Sequence, residues 1–200
     1  MTTLAEPQQR AGAAPARVVP QVVPVKGLPI VAVVLAGLVA AIAGNWIWAL
    51  NFYHVVGGAL WTSIDLVLGF VIGPILRRLS IPARSEFTAR FMPKMVLIMP
   101  TLVAMTLASG FQLALNFGYL LPASSNRLWL VASFAVVGVM STIALGILSP
   151  ANITVLLEMR KPRPNPAVIA RLMRRFLYTA GITGAMQVAT LMIMTRVASQ

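Results

Sequence analysis

The side chains that could do chemistry in the membrane lie in one apolar stretch, residues 47–76. Asp65 is the one acid of this stretch, and His54 is the one histidine of the 200-residue chain. On a helix, Trp61 and Asp65 each project within ~20° of His54, so the three are predicted to share one face. Eleven residues of helix separate His54 from Asp65 by ~16 Å, which excludes a direct contact.

Asp65 is the strongest pointer to function, because a carboxylate at the centre of a bilayer costs ~2.5–3.5 kcal/mol to insert and is kept where it faces protein or water. Two interpretations stay open. In the first, Asp65 lines a polar path with Trp61 and Gln112, and His54 lies at its outer mouth. In the second, Asp65 is protonated and only bonds to neighbouring helices, while His54 bonds to a backbone carbonyl or a lipid headgroup. The candidate partners of Asp65 are Ser109, Gln112, Ser141, Thr183 and Gln187.

Eleven methionines suggest copper, since thioether sulfur suits Cu(I) and imidazole also binds copper. His54, Met95 and Met99 are therefore candidate metal ligands. The alternative for the methionines is core or lipid contact, which is their ordinary role in apolar helices. The chain has no cysteine, no second histidine, no pair of acids within one span and no glycine-rich phosphate loop. This inventory predicts a protein that is not an enzyme.

Composition predicts an all-α integral membrane protein. Hydrophobic residues make up 58% of the chain and charged residues 10%, against about a quarter charged in soluble domains. A spanning helix needs ~20 apolar residues, and the apolar blocks divide into five, with a break near Gly44 and Asn45. The predicted spans are residues 29–44, 47–76, 93–118, 128–155 and 173–195. Together they form a transmembrane domain over 27–200, preceded by a disordered, basic cytoplasmic tail over 1–26.

Basic residues predict the orientation, because short cytoplasmic loops carry an excess of Lys and Arg. Fourteen of the sixteen precede span one or follow spans two and four, and only Arg127 and Arg196 lie on the other side. The amino terminus is therefore predicted inside and the carboxyl terminus outside, in the inner membrane. An alternative is a signal peptide cleaved after residues 41–43, although its leader would be unusually long.

Glycines and prolines add local predictions. Gly69 with Gly73, and Ala180 with Gly184, form small-xxx-small pairs that predict close helix packing, within the chain or in a dimer. The prolines predicted to mark ends or kinks of spans are Pro74, Pro93, Pro100 and Pro150. Successive prolines in residues 161–166 predict a non-helical connector.

The segment 54–62, with His54 near the outer end of a helix and Leu-Trp61 after it, resembles the opening of the CopD-type membrane domain. The exit at Pro74-Ile-Leu-Arg77 is similar as well. The resemblance covers residues 47–197 and continues with Arg90-Phe91, Ser109-Gly110, Trp129 and the run Arg171 to Arg175. It implies a four-helix CopD-like core preceded by one extra helix, a role in copper resistance or uptake, and His54 and Trp61 as site residues.

The favoured functional prediction is ion or copper handling across the membrane. A haem- or quinone-associated electron-transfer subunit is one alternative, and a non-catalytic scaffold or assembly factor is another. The sequence leaves the cofactor unknown: copper is the first candidate and haem a less favoured one, because haem would have to be shared across a symmetric dimer of a chain with one histidine. The predicted partners are anionic lipids at the basic loops and a second copy or a membrane complex, and no nucleic acid.

Overall fold

The computed structural model describes residues 19–199, and over this range the chain forms helices and no strand. Five helices are long and apolar enough to cross a membrane, as the sequence predicts. They are α1 (Val25–Ala43), α2 (Ile47–Arg78), α3 (Ile81–Asn116), α4 (Arg127–Arg160) and α5 (Pro166–Ala198).

Several helices are longer than the predicted spans, because they include turns with charged residues next to the apolar turns. Helix α3 begins at Ile81 and α5 at Pro166, well before the predicted starts at 93 and 173. Apolar content identifies the part of a helix that suits a bilayer, whereas backbone hydrogen bonding continues into polar turns. The start of α5 is capped by Asn165, whose Oδ1 accepts a hydrogen bond from the Ala167 amide at 3.0 Å.

The predicted break between the first two helices is confirmed. Helix α1 ends at Ala43 and α2 begins at Ile47. Between them Asn45 has a φ of 51°, a left-handed conformation that asparagine tolerates better than most residues. Asn116 at the end of α3 donates a hydrogen bond to the Asn45 side chain at 2.6 Å, so the turn is fastened to the neighbouring helix.

Two helices contain a widened π turn directly before a proline. In α2 it covers Val67–Ile72, ahead of Pro74, and in α4 it covers Ala144–Leu148, ahead of Pro150. Proline has no N–H to donate, so the preceding turn loses an i→i−4 bond and can widen. The helices continue through all four prolines, so none of them ends a span.

Helices α2, α3, α4 and α5 form a ring in which each packs on the next. Helix α1 lies outside this ring, on α2 and α3, which agrees with the expected core of four helices and one extra. The end where α2 and α4 terminate and α3 and α5 begin is here called the basic end. The largest buried cluster lies there and includes Leu76, Met92, Leu156 and Phe176.

The segments outside the helices are short. Residues 1–18 of the predicted tail lie outside the described residues; in the remainder Pro20 is buried and Val22 packs against the cluster at the basic end. Residues 161–165 between α4 and α5 are non-helical, as their prolines predict.

Candidate functional site

Asp65 lies at the centre of the ring and is fully buried, with 0% of its surface exposed. One of its carboxyl oxygens, Oδ2, accepts three hydrogen bonds. The donors are Trp61 Nε1, Thr183 Oγ1 and Gln187 Nε2, each at 3.0 Å. Of the five candidate partners, the structure therefore brings Thr183 and Gln187 to Asp65.

Helical spacing explains how these groups meet. Trp61 precedes Asp65 by four residues on α2, and Thr183 precedes Gln187 by four on α5, so each pair lies on one face of its helix. The faces meet because α2 and α5 cross closely. At the crossing, Gly69 lies against the backbone of Gly181, and a Cβ at Gly184 would lie 3.0 Å from the Leu66 amide nitrogen.

The other carboxyl oxygen, Oδ1, has no hydrogen-bond partner within residues 19–199, and neither has Gln187 Oε1. Asp65 also has no ion pair there: the salt bridges described join Arg90 to Glu86 and Lys161 to Glu158. A charged carboxylate in such a place lacks a counter-charge, which is costly away from water. The site can meet this cost by holding a proton or a small cation.

A cavity of about 240 Å³ lies between α2, α3, α4 and α5, in the half of the ring away from the basic end. We call it the central cavity. His54, Trp61 and Gln187 are among the residues that line it, and most of the others are apolar. Trp61 and Gln187 thus connect the central cavity to the buried Asp65. At ~30 Å³ per molecule, the volume is enough for several waters.

His54 is held by α3. Its Nδ1 lies 2.9 Å from the Thr106 carbonyl oxygen, and since a carbonyl only accepts, Nδ1 must donate the hydrogen. In the neutral ring this leaves Nε2 as an acceptor. The predicted bond to a backbone carbonyl is therefore present, and the predicted separation from Asp65 is also found. At the same time the His54 side chain lines the central cavity, as the alternative interpretation expects.

Gly110→Ala is expected to displace the His54 ring, because a Cβ at this position would lie 2.5 Å from both Cε1 and Nδ1 of the ring. The bond to the Thr106 carbonyl should then weaken. Because the chain has one histidine, the ¹⁵N chemical shifts of labelled imidazole report on it without overlap. The Nδ1 shift should change in Gly110→Ala and stay unchanged in Gly138→Ala, where a Cβ meets nothing within 4 Å. An unchanged shift in Gly110→Ala would show that the ring is not held between these groups.

The remaining predicted site residues lie elsewhere. Gln112 donates to the Asn116 side chain at 3.2 Å and is not among the residues that line the central cavity, so its predicted place on a path with Asp65 is not supported. This end of α3 lies next to the turn between α1 and α2, because Asn116 donates a hydrogen bond to the Asn45 side chain.

The candidate metal ligands are not brought together. Met95 and Met99 line a separate cavity of about 90 Å³ between α3 and α4. His54 instead contacts Thr106, ~10 Å further along α3 than Met99. In the part of the chain that the structure describes, no group of three or more His, Cys, Asp or Glu side chains could hold a metal ion.

The sequence left the choice of partner for Asp65 open among five residues. Ser109 bonds to the Met105 carbonyl of its own helix, and Ser141 is buried without a partner within the described range. The i, i+4 spacing of Thr183 and Gln187 predicts that they share one face of α5, but it does not show that this face meets Asp65, which the close crossing of α2 and α5 decides.

Comparison of the chain with protein-family models, curated proteins and solved structures finds no match. The five candidate spanning helices indicate a multi-pass membrane protein. The most distinctive feature of the molecule is the buried carboxyl group of Asp65, next to the small and mostly apolar central cavity.

Proposed function

We propose that this chain is a multi-pass protein of the inner membrane that carries a proton, or another small cation, by way of Asp65. The observation that carries the proposal is the fully buried carboxyl group with three donors on one oxygen and no counter-charge among the described residues. Ionisable groups inside membrane spans commonly mark ion pathways and proton relays.

The surroundings of Asp65 favour exchange between two states. The three donors to Oδ2 stabilise the ionised carboxylate, because hydrogen bonds to a charged group are strong. The missing counter-charge and the apolar surroundings favour the neutral acid. These effects oppose each other, so the site has contacts that favour each protonation state, as a group that accepts and releases a proton requires.

The central cavity supports access to Asp65 from one side. His54, Trp61 and Gln187 line the cavity, and Trp61 and Gln187 also donate hydrogen bonds to Asp65. On the other side, the cluster at the basic end, with Leu68 and Leu76, closes the ring. Transfer across the membrane therefore requires α2 and α5 to move apart below Asp65, where the π turn of α2 begins at Val67.

The distribution of charge supports an orientation with the basic end in the cytoplasm. The amino terminus is then inside, the carboxyl terminus outside, and the central cavity on the outer side. The resemblance to CopD-type proteins adds copper as a candidate cargo. The separation of His54 from Met95 and Met99 favours a proton over copper.

The test is proton uptake by vesicles that contain the purified protein and a pH-sensitive dye, driven by a potassium gradient with valinomycin. Wild type should acidify or alkalinise the lumen according to the sign of the potential. Asp65→Asn keeps the side-chain shape but cannot exchange a proton, and should fall to the rate of empty vesicles. The control is Glu86→Gln, which alters an exposed acid paired with Arg90 and should match wild type.

An Asp65→Asn variant that is correctly folded and still as active as wild type would contradict the proposal. A wild-type rate equal to that of empty vesicles, with lumenal dye responding normally to added nigericin, would also contradict it for protons. Infrared difference spectra give a second measurement: the chain has four acidic side chains, so the C=O band of the protonated acids should lose the component of the buried carboxyl group in Asp65→Asn and keep this component in Glu86→Gln.

A further inference from the structure

A second cavity, of about 590 Å³, lies at the basic end, where the end of α2 and the start of α3 face the start of α5. We call it the arginine cleft. It is far from the central cavity along the helices and shares no lining residue with it. Four arginines are among the twelve residues that line it: Arg77, Arg84, Arg171 and Arg174. No acidic side chain lines the cleft.

Two of these arginines are fixed by the protein. Arg84 donates from Nε to the Leu76 carbonyl at 2.9 Å and from Nη2 to the carbonyls of Arg77 and Leu79. Arg77 donates to the Tyr178 hydroxyl at 3.0 Å, with its guanidinium 5.7 Å from the centre of the same ring. These contacts hold positive charge on the wall of the cleft, since every acceptor is a neutral group.

The other two arginines are available to a ligand. Arg171 and Arg174 are exposed, lie three residues apart on α5 and have no hydrogen-bond or ion-pair partner within residues 19–199. Residues at i and i+3 are neighbours on a helix surface. Their guanidinium groups can therefore reach one anion together, and planar N–H forks suit phosphate oxygens.

The inner part of the cleft is apolar and made partly of glycine. Gly69, Gly73 and Leu76 of α2 face Met173 and Leu177 of α5. This part begins where Gly69 meets Gly181, ~12 Å along the helix from Arg77. The cleft thus combines a positive rim with an apolar inner wall, in which Gly69 is partly exposed and Gly73, Leu76, Met173 and Leu177 are buried.

We infer that the arginine cleft binds one anionic phospholipid, with its phosphate on Arg171 and Arg174 and the upper part of an acyl chain against Gly69 and Tyr178. A soluble phosphate would use the rim alone and leave Gly69 and Tyr178, the less buried part of the apolar lining, uncovered. A phospholipid matches both parts, and the basic end is the level at which lipid headgroups lie. This inference does not depend on proton transfer at Asp65.

The binding site is distinguished from a general attraction of basic loops for anionic lipids by its geometry. Arg163 and Arg175 are at the same end of the bundle and are exposed, but they do not line the cleft. Removing either pair of arginines lowers the net charge of the protein equally. A non-specific electrostatic effect therefore predicts equal losses, and a site predicts unequal ones.

The experiment is a titration of the purified, delipidated full chain in neutral detergent with phosphatidylglycerol that carries a fluorescent tail. Binding should saturate at about one lipid per chain, and phosphatidylcholine should compete at least ~10-fold more weakly, because it has no net charge. The double variant Arg171→Gln with Arg174→Gln should weaken binding by ~10-fold or more, as expected for lost charge-assisted hydrogen bonds. The control pair Arg163→Gln with Arg175→Gln should stay within ~2-fold of wild type, as exposed charges contribute little.

A second variant, Ala167→Trp, keeps every arginine and places a bulky side chain in the cleft, where Ala167 is exposed. It should weaken lipid binding while thermal stability is unchanged. Equal losses in the two double variants would overturn the inference. So would competition by inorganic phosphate that is as effective as competition by unlabelled phosphatidylglycerol, which would identify a site for free anions.

Discussion

Replacing Asp65 by alanine is expected to lower the free energy of unfolding by about 2–4 kcal/mol, because buried hydrogen-bond donors lose their acceptor. Trp61 Nε1 and Gln187 Nε2 both donate to Asp65 Oδ2 and would be buried without an acceptor. The Thr183 hydroxyl would keep an acceptor, because it also lies within hydrogen-bond distance of the carbonyls of Thr179 and Ala180. Asp65→Asn should cost less than Asp65→Ala, since the amide oxygen can still accept from these donors.

The measurement is reversible unfolding in mixed micelles of mild detergent and dodecyl sulfate, followed by far-ultraviolet circular dichroism. Glu86→Ala is the control, because it removes an exposed acid whose partner Arg90 is exposed as well, and it should leave the midpoint unchanged. Greater stability of Asp65→Ala than of wild type would show that the burial of the carboxyl group outweighs its hydrogen bonds. The polar cluster would then be maintained for function at the expense of stability.

Gly69→Ala is expected to destabilise the bundle by about 2–3 kcal/mol, as overpacking of a close contact does. A Cβ at Gly69 would overlap the Cα of Gly181 and lie 2.8 Å from the Gly181 amide nitrogen. Both are backbone atoms, so the two helices must separate to admit it. Gly69 is one turn from Asp65, and Gly181 is two residues from Thr183, so separation also lengthens the hydrogen bonds between α2 and α5.

The matched control for Gly69→Ala is Gly138→Ala in α4, where a Cβ would meet nothing within 4 Å. Alanine is favoured over glycine in a helix by up to ~1 kcal/mol, so this variant should be neutral or slightly stabilising. Both variants are compared in the same unfolding titration, and proton uptake is measured on each. Equal stability of the two would mean that the crossing of α2 and α5 is looser than the contact of Gly69 with Gly181 indicates.

The sequence predicts the faces of helices better than it predicts which faces meet. Helical spacing places Trp61 beside Asp65, and the structure shows a hydrogen bond between them. It does not select Thr183 and Gln187 over Ser109, because that choice depends on where two helices cross, which Gly69, Gly181 and Gly184 determine together. The small-xxx-small pairs predict close packing, and in the structure this packing lies within the chain.

Hydropathy does not predict helix ends, and residue type does not predict which candidate metal ligands lie close together. The start of α3 at Ile81 lies in a charged region that hydropathy assigns to a loop, since hydropathy reports on the bilayer and not on backbone hydrogen bonds. Met95, Met99 and His54 are chemically suitable for copper, but donor type alone does not bring side chains together. The π turns before Pro74 and Pro150 are also not predicted from the sequence. Because proline has no N–H to donate, the turn before it widens, and the helix continues.

The ring arrangement has a consequence for the order of assembly during synthesis. Helix α1 packs on α2 and α3, so the first three helices can associate before the rest of the chain is made. Asp65 belongs to this early group, yet Thr183 and Gln187 reside on the last helix. Until α5 arrives, the carboxyl group has Trp61 as its one partner from the final cluster. A chain that stops after α4 would therefore leave the Asp65 carboxyl group without two of its three donors.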